Sequence, residues 1–520
     1  MTFARHRRHA CRLAAALLLA AAPLAAQQLP SADPILSRLW TVGTDSSRAM
    51  DYLQVLSDSI GPRLNGSPGH RAGNAWLAAR YAELGIAVRN EQYGTWRSWK
   101  RGPSHLDLVA PRVRSLEATM LAWSPGTKGA IEAAPIILPA LNDSAAFAAW
   151  LPEAKGRFVL ISQVQPTCRP DSAFKAFALP STFEKLQKER AAERTAWDQR
   201  IARTGYSART LPAALEKAGA KGVLTSLWSA GWGVTKIFNA RTEQVPTFDL
   251  SCEDYGLVYR LTERNQGPRL RMSADAAFEA AEQPVFNTVA ELPGRNPDEF
   301  VMLSAHFDSW DGASGTTDNG TGTIVMLEAM RLLKLVLPNP SRTIRVGHWG
   351  GEEQGLNGSH AYVEDHPEVA RGLQALFNQD NGTGRVVNMS ASGFLDAGAK
   401  LADWISKLPT EFTRGLTLGL PGSPAGGGSD HASFVCAGAP GFSLGALGWE
   451  YGTYTWHTNR DTFDKAVADE IRANAVMTAM LVYLASEDPE RVGRTRRDLA
   501  ANARWPVCTP AARTAAASTR

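Results

Sequence analysis

The sequence predicts an α/β fold with a second domain inserted into it, and three observations predict it. From Phe286 to about Ala485, short apolar runs that stop at charged or histidine residues alternate with helical stretches. Between about Pro111 and Phe286 the runs become shorter and β-like, with one long polar helix among them. The chain has 520 residues, 44% of them hydrophobic, which suffices for a large core and, at roughly 100 to 200 residues per domain, for two or three domains. That composition excludes a disordered or fibrous chain.

Taken in order, residues 1–26 read as a secretory signal peptide: Arg5, Arg7, Arg8 and Arg12 precede an apolar run from Leu13 to Leu24 and then Ala25 and Ala26. The implied location is secreted or periplasmic. No other stretch approaches the roughly 18 unbroken apolar residues of a membrane span. Without the leader, 51 basic residues face 51 acidic ones, so no electrostatic footprint for nucleic acid remains. The arginines at Arg491, Arg494, Arg496 and Arg497 read as a solvated tail over 489–520.

Cys168, Cys252, Cys436 and Cys508 remain after the leader, and four cysteines permit three pairings. Proximity in sequence and domain favours Cys168 with Cys252 and Cys436 with Cys508. No Cys-x-x-Cys pattern occurs around them, so any metal is held by nitrogen and oxygen.

Residues 27–109 form the first part of the main domain, with helices expected over 46–57 and 71–84 and a Gly/Pro loop from Gly61 to Pro68. Residues 110–284 form the insert, where Ser181, Thr182, Phe183 and Glu184 read as a capping box opening a helix. The main domain resumes over 285–488, with a helix at about 321–336.

In this last part the strand-like runs deliver chemistry. Phe300–Ser304 leads into His306 and Asp308, Ile344–Val346 into Glu352 and Glu353, and Leu376–Phe377 into Asp380. In an open α/β sheet, ligands collect beyond the carboxyl ends of strands. His306 and Asp308 share a strand face, which allows the carboxylate to orient the imidazole. Asp318 precedes the 321–336 helix, where a carboxylate caps the helix or bridges two metals. Each of these residues, and His457 after Trp456, is also ordinary core or turn material when taken alone. Together, two histidines, one shared carboxylate and two further carboxylates supply two zinc ions, each keeping a position for water. Glu352, next to a ligand but free of the metal, suits a general base.

The stretches His306–Gly322, Gly350–Gly358, Gln379–Gly384, Gly428–Phe434 and Trp456–Phe463 resemble the co-catalytic di-zinc exopeptidase family of secreted aminopeptidases and plasma glutamate carboxypeptidase. The resemblance covers most of residues 45–485, and Ala218–Val223 resembles a protease-associated insert. It implies a mixed-sheet, three-layer α/β/α domain of the phosphorylase/hydrolase-like kind with a β-rich insert. It also implies that His306 and Asp380 bind one zinc, that Glu353 and His457 bind the other, that Asp318 bridges them, and that a cis peptide follows Asp318. Asp308 joins Glu352 in the catalytic set, and Asp430, His431 and Tyr454 are the candidates for substrate binding. Tyr451 is the alternative tyrosine.

The expected reaction is hydrolysis of a terminal peptide bond in a peptide substrate. An aminopeptidase is the first reading, and a carboxypeptidase or dipeptidase is the alternative, because Ser309, Trp310 and Asp311 resemble the carboxypeptidase branch. Asp430 and Glu450 are acids available for a substrate ammonium; Arg385 and Arg460 are cations available for a carboxylate. A one-zinc acyltransferase of the glutaminyl cyclase type and a non-catalytic binding protein are the rivals, and metal stoichiometry separates the first. The sequence sets no oligomeric state.

Overall fold

The computed structural model describes residues 32–500 and 504–515, so the leader read at 1–26 lies outside the described residues. Its centre is a mixed sheet of eight strands. In chain order these are β1 (Ala87–Trp96), β2 (Gln283–Leu292), β3 (Asn296–His306), β4 (Arg342–Trp349), β5 (Leu373–Asn378), β6 (Val386–Ser390), β7 (Thr417–Gly419) and β8 (Gly441–Ala446). They lie side by side as β1-β2-β4-β3-β5-β8-β6-β7. The central four, β4-β3-β5-β8, run parallel, so their carboxyl ends open on one edge.

Both faces of that centre are covered, which explains why its strands read as unbroken apolar runs. Along β3 the side chains alternate: Val301, Leu303 and Ala305 enter one core with helices Pro34–Asp45, Thr321–Val336 and Ala468–Glu487. Phe300 and Met302 enter the other with Trp349, Tyr362 and Phe434. The three-layer α/β/α arrangement is thus present. The helix expected at about 321–336 spans Thr321–Val336 and is buried almost all round.

The chain leaves the sheet at Trp96 and returns at Gln283. Between lie a four-stranded and a five-stranded sheet over a separate core. Strand Trp99–Ala110, expected in the main domain, instead pairs antiparallel with Arg269–Phe278 of the insert. Helices share this region with the sheets, the longest being Pro180–Arg203. Its start differs from the expected capping box: Leu179 holds the cap position without a side-chain bond, because Pro180 supplies a preset φ and no N–H at the first helical turn. The helix expected at 46–57 is Ala49–Gln54 continuing as a π-helical turn, Val55–Ile60, and ends at Gly61 with φ 77°.

Cys168 pairs with Cys252 and Cys436 with Cys508, as proximity favoured. No helix among the described residues is long and apolar enough to cross a membrane. The described part of the basic tail, expected to be solvated, packs back on the main domain. Arg494 donates to the carbonyls of Arg371 and Leu373 at 2.8 and 2.9 Å, satisfying the free carbonyl end of helix Pro367–Gly372. Arg496 lies over Trp505, and Arg513 pairs with Glu364 and Asp365.

Candidate metal centre

Four segments meet at the carboxyl edge of the sheet. His306 ends β3 and is 1% exposed. Its Nδ1 lies 3.0 Å from the Asp308 carbonyl, to which it can donate, so that Nε2 is the nitrogen turned to the other carboxylates. That Nε2 faces Asp380 Oδ1 at 3.0 Å and Asp318 Oδ1 at 3.3 Å. Asp380 follows β5.

Asp318 sits ahead of helix Thr321–Val336, and its bond to Asn319 is cis, as the resemblance implied. Asp461 accepts hydrogen bonds from the Thr317 and Asp318 amides at 2.6 and 3.1 Å, and Asn319 Nδ2 donates to the Gln379 carbonyl at 2.8 Å. So fixed, Asp318 turns its second oxygen to His457 Nε2 at 3.1 Å. His457 also faces Glu353 Oε2 at 2.8 Å.

Glu353 follows β4 through a tight turn at Gly350 and Gly351. Gly351 has φ 67°, and a Cβ there would meet the Tyr93 hydroxyl at 2.6 Å, so glycine is required. The Asp308 carboxylate holds the turn, accepting from the Glu352 amide at 3.0 Å and the Glu353 amide at 3.4 Å. This revises the expectation for Asp308. Its carbonyl, not its carboxylate, is the nearer partner of His306, because the carboxyl oxygen at 3.7 Å is committed to the turn.

Two ligand groups result, His306 with Asp318 and Asp380, and Asp318 with Glu353 and His457, their ligand atoms lying within 4.8 Å of one another. Burial lowers His306, but the Asp380 and Glu352 carboxylates outweigh it and hold the imidazole well above its usual value. Burial likewise opposes His457, yet Glu353 and Asp318 raise it to about 10. Glu353 is pushed up to about 7 by burial and then by Asp318. Burial also raises Glu352, against the pull of His306. The carboxylates outnumber the imidazoles, and Glu353 Oε1 is buried without a hydrogen bond. A buried anionic excess of nitrogen and oxygen ligands with no thiolate fits bound divalent cations such as zinc.

A cleft of about 680 Å³ opens on these ligands, lined by Asp318, Glu352, Glu353, Asp380, Tyr451 and His457 among others. Glu352 therefore lines the same cleft as the candidate ligands. The loop residues distribute differently from expectation. Gly426, Gly427 and Gly428 form the wall, after which Ser429 accepts a bond from Asn378 Nδ2 at 2.9 Å and carries the chain inward. Asp430 is consequently 0% exposed and off the cleft wall. His431 begins helix His431–Cys436 and also lies off that wall, with Nδ1 buried. Tyr454 lines a neighbouring cavity against Gly231, and Tyr451 is the tyrosine on the cleft. Of the charged candidates, Arg385 pairs with Glu470, Arg460 pairs with Glu117, and Glu450 lines Tyr454's cavity.

Asp461 was missed by the sequence reading. The only signal available was an aspartate four residues after His457, and nothing local ties it to the backbone of Asp318.

Residues 287–482 match the family described as Peptidase family M28. The chain is 24% identical over 456 residues to carboxypeptidase Q of Mus musculus, covering 87% of this chain and 88% of that protein. Its fold is similar to the crystal structure of a Peptidase M28 precursor from Shewanella amazonensis, with a TM-score of 0.67, 21% identity, and 89% and 98% of the two chains covered. It is also similar to BSAP, a zinc aminopeptidase from Bacillus subtilis, with a TM-score of 0.54, 20% identity, and 86% and 97% covered.

Proposed function

Starting from the match of residues 287–482 to Peptidase family M28, we propose a two-zinc exopeptidase that hydrolyses the terminal bond of short peptides. One observation carries the reading. Asp318 presents its two oxygens to two histidines, His306 and His457, each of which faces a further carboxylate of its own. His306 and Asp380 would hold one ion, Glu353 and His457 the other, and Asp318 both. Bound there, the ions polarise the scissile carbonyl and lower the pKa of a water.

The protein's own groups do the rest. Glu352, on the cleft wall but outside both ligand groups, takes the proton of the attacking water and returns it to the leaving amine. Asp308 positions Glu352 and Glu353 by holding their amides. Burial keeps the Tyr451 hydroxyl protonated, so it can donate to the oxyanion that develops on the carbonyl. Two disulfides and the leader fit a secreted or periplasmic enzyme.

The relatives' names point to both chain ends. With Asp430 buried, Glu450 off the cleft wall, and Arg385 and Arg460 paired with Glu470 and Glu117, the charged groups offered for either substrate end are withdrawn from the cleft, and the choice of end falls to groups beyond it.

Glu352→Gln tests the mechanism. The variant should retain two zinc ions per chain by elemental analysis while losing about 10²- to 10⁴-fold in kcat on dipeptides and aminoacyl-nitroanilides. Near-normal turnover would remove Glu352 from the base role. One zinc per chain in the wild type would favour the acyltransferase rival.

A further inference from the structure

Glu353 lines two cavities. Besides the cleft on the metal ligands it borders a second cavity of about 400 Å³, whose other walls include Arg97, Trp123, Arg209, Arg241 and Trp310. Glu353 is the only acid among the lining residues, and it is a candidate metal ligand.

The three guanidinium groups take part in no ion pair among the described residues. Glu243 acts on Arg97 without reaching it, and Arg241 is disfavoured first by burial and then by the charges of Arg209 and Arg97. Arg97 and Arg241 are half-buried, so water only partly relieves that repulsion. Arg97 is also held in place: its guanidinium lies 5.0 Å from the Trp123 ring centre, and Trp123 Nε1 donates to its carbonyl at 3.2 Å. Trp310 meets Trp123 edge-on at 6.0 Å. The cavity is thus a cationic, aromatic-walled chamber with Arg97 held in place, and it shares one wall with the metal centre. Guanidinium groups recognise carboxylates through paired N–H donors, and the half-buried Arg97 and Arg241, which pair with no carboxylate among the described residues, are free to take one from a ligand.

We propose that this cavity is the subsite for a carboxylate of the peptide substrate, gripped by Arg97 and Arg241 with Arg209 beside them, while the scissile bond lies at the metal centre. The proposal rests on the exopeptidase reading and adds the feature by which the substrate is chosen. The carboxylate has two possible sources, the free chain terminus or an acidic side chain, and the cavity is large enough for one residue of either kind.

Three substrates tested on the full-length, zinc-loaded protein separate the sources: Leu-Leu, Leu-Leu-amide and Leu-Glu-amide. Terminal recognition gives Leu-Leu at least a tenfold higher kcat/KM than Leu-Leu-amide. Side-chain recognition gives Leu-Glu-amide that advantage over Leu-Leu-amide. In Arg97→Ala and Arg241→Ala whichever preference exists should fall at least tenfold, chiefly through KM, and Arg241→Lys should restore part of it. Equal kcat/KM on all three substrates, or a preference that survives both alanine variants, overturns the proposal while leaving the exopeptidase standing. If no peptide is hydrolysed, the exopeptidase reading fails separately. Calorimetric binding of Leu-Leu, Leu-Leu-amide and Leu-Glu-amide then decides the subsite: tighter binding of either carboxylate-bearing ligand than of Leu-Leu-amide, lost in Arg241→Ala, upholds it, and equal binding of all three overturns it.

Discussion

His306 and His457 offer the same imidazole to the same Asp318, but they reach it from different foundations. His306 ends a strand paired on both sides, is 1% exposed, and has its Nδ1 set against the Asp308 carbonyl. His457 stands on a loop with φ 51°, in the left-handed region, and its Nδ1 is buried without a hydrogen bond. Its backbone is held by the insert: Ile237 N donates to the His457 carbonyl at 3.0 Å, Lys236 Nζ donates to the Trp456 carbonyl, and the Phe238 ring stands edge-on to the imidazole at 5.0 Å. The sheet alone can therefore set one half of the ligand cluster, whereas the other half depends on a domain that inserts elsewhere in the chain. The insert is part of the site's architecture.

The comparison breaks most visibly at Asp461, which holds the one residue both halves share. Asp461→Ala frees the Thr317 and Asp318 amides, and metal affinity should fall about 10- to 100-fold at both positions. Titration with a chelator, followed by elemental analysis, checks this. Loss of a single ion would mean that Asp318 serves one half only.

A smaller effect should separate the halves. Lys236→Met keeps the side chain's bulk but removes the ammonium donor to Trp456 and its place 4.5 Å from the Trp456 ring centre. About tenfold weaker binding of one ion is expected, equivalent to ~1.4 kcal/mol, with the His306 ion retained. Equal weakening of both ions would erase the distinction drawn between sheet and insert.

The smallest effect on the metal centre comes from a change in the sheet itself, away from the ligands. His348 on β4 is fully buried, burial lowers it to about 3, and its Nε2 lies 2.7 Å from the Tyr81 hydroxyl. The fold thus demands the neutral ring. As pH falls below about 6.5 the unfolded chain gains a proton that the folded chain refuses until about 3, so stability declines over that window by about 1.4 kcal/mol per unit. His348→Gln removes this titration. Its unfolding free energy, measured in urea from pH 6 to 4, should fall less steeply than the wild type's by one proton, with metal binding unaffected. An unchanged slope would place the proton elsewhere.

Much of this was legible in the sequence because the signals are local. Apolar runs ending at His306, Glu353 and Asp380 report strands whose ends share an edge, and helix Thr321–Val336 is written in its own periodicity. Where Asp430, His431 and Tyr454 lie relative to the cleft is not legible in the sequence, because the direction of a loop side chain depends on what the loop packs against. Ser429 is anchored by Asn378, which carries Asp430 inward, and Tyr454 packs against Gly231.

By itself, then, the sequence determined the candidate ligands, their order along the chain and the sheet that carries them, since period and turn chemistry act over a few residues. Only the tertiary structure decided which oxygen of Asp318 faces which histidine, that Asp461 braces it, and that Arg97, Arg209 and Arg241 share one cavity wall with Glu353. Those relations join segments far apart in the chain, and only the docking of the insert on the sheet edge brings them within reach.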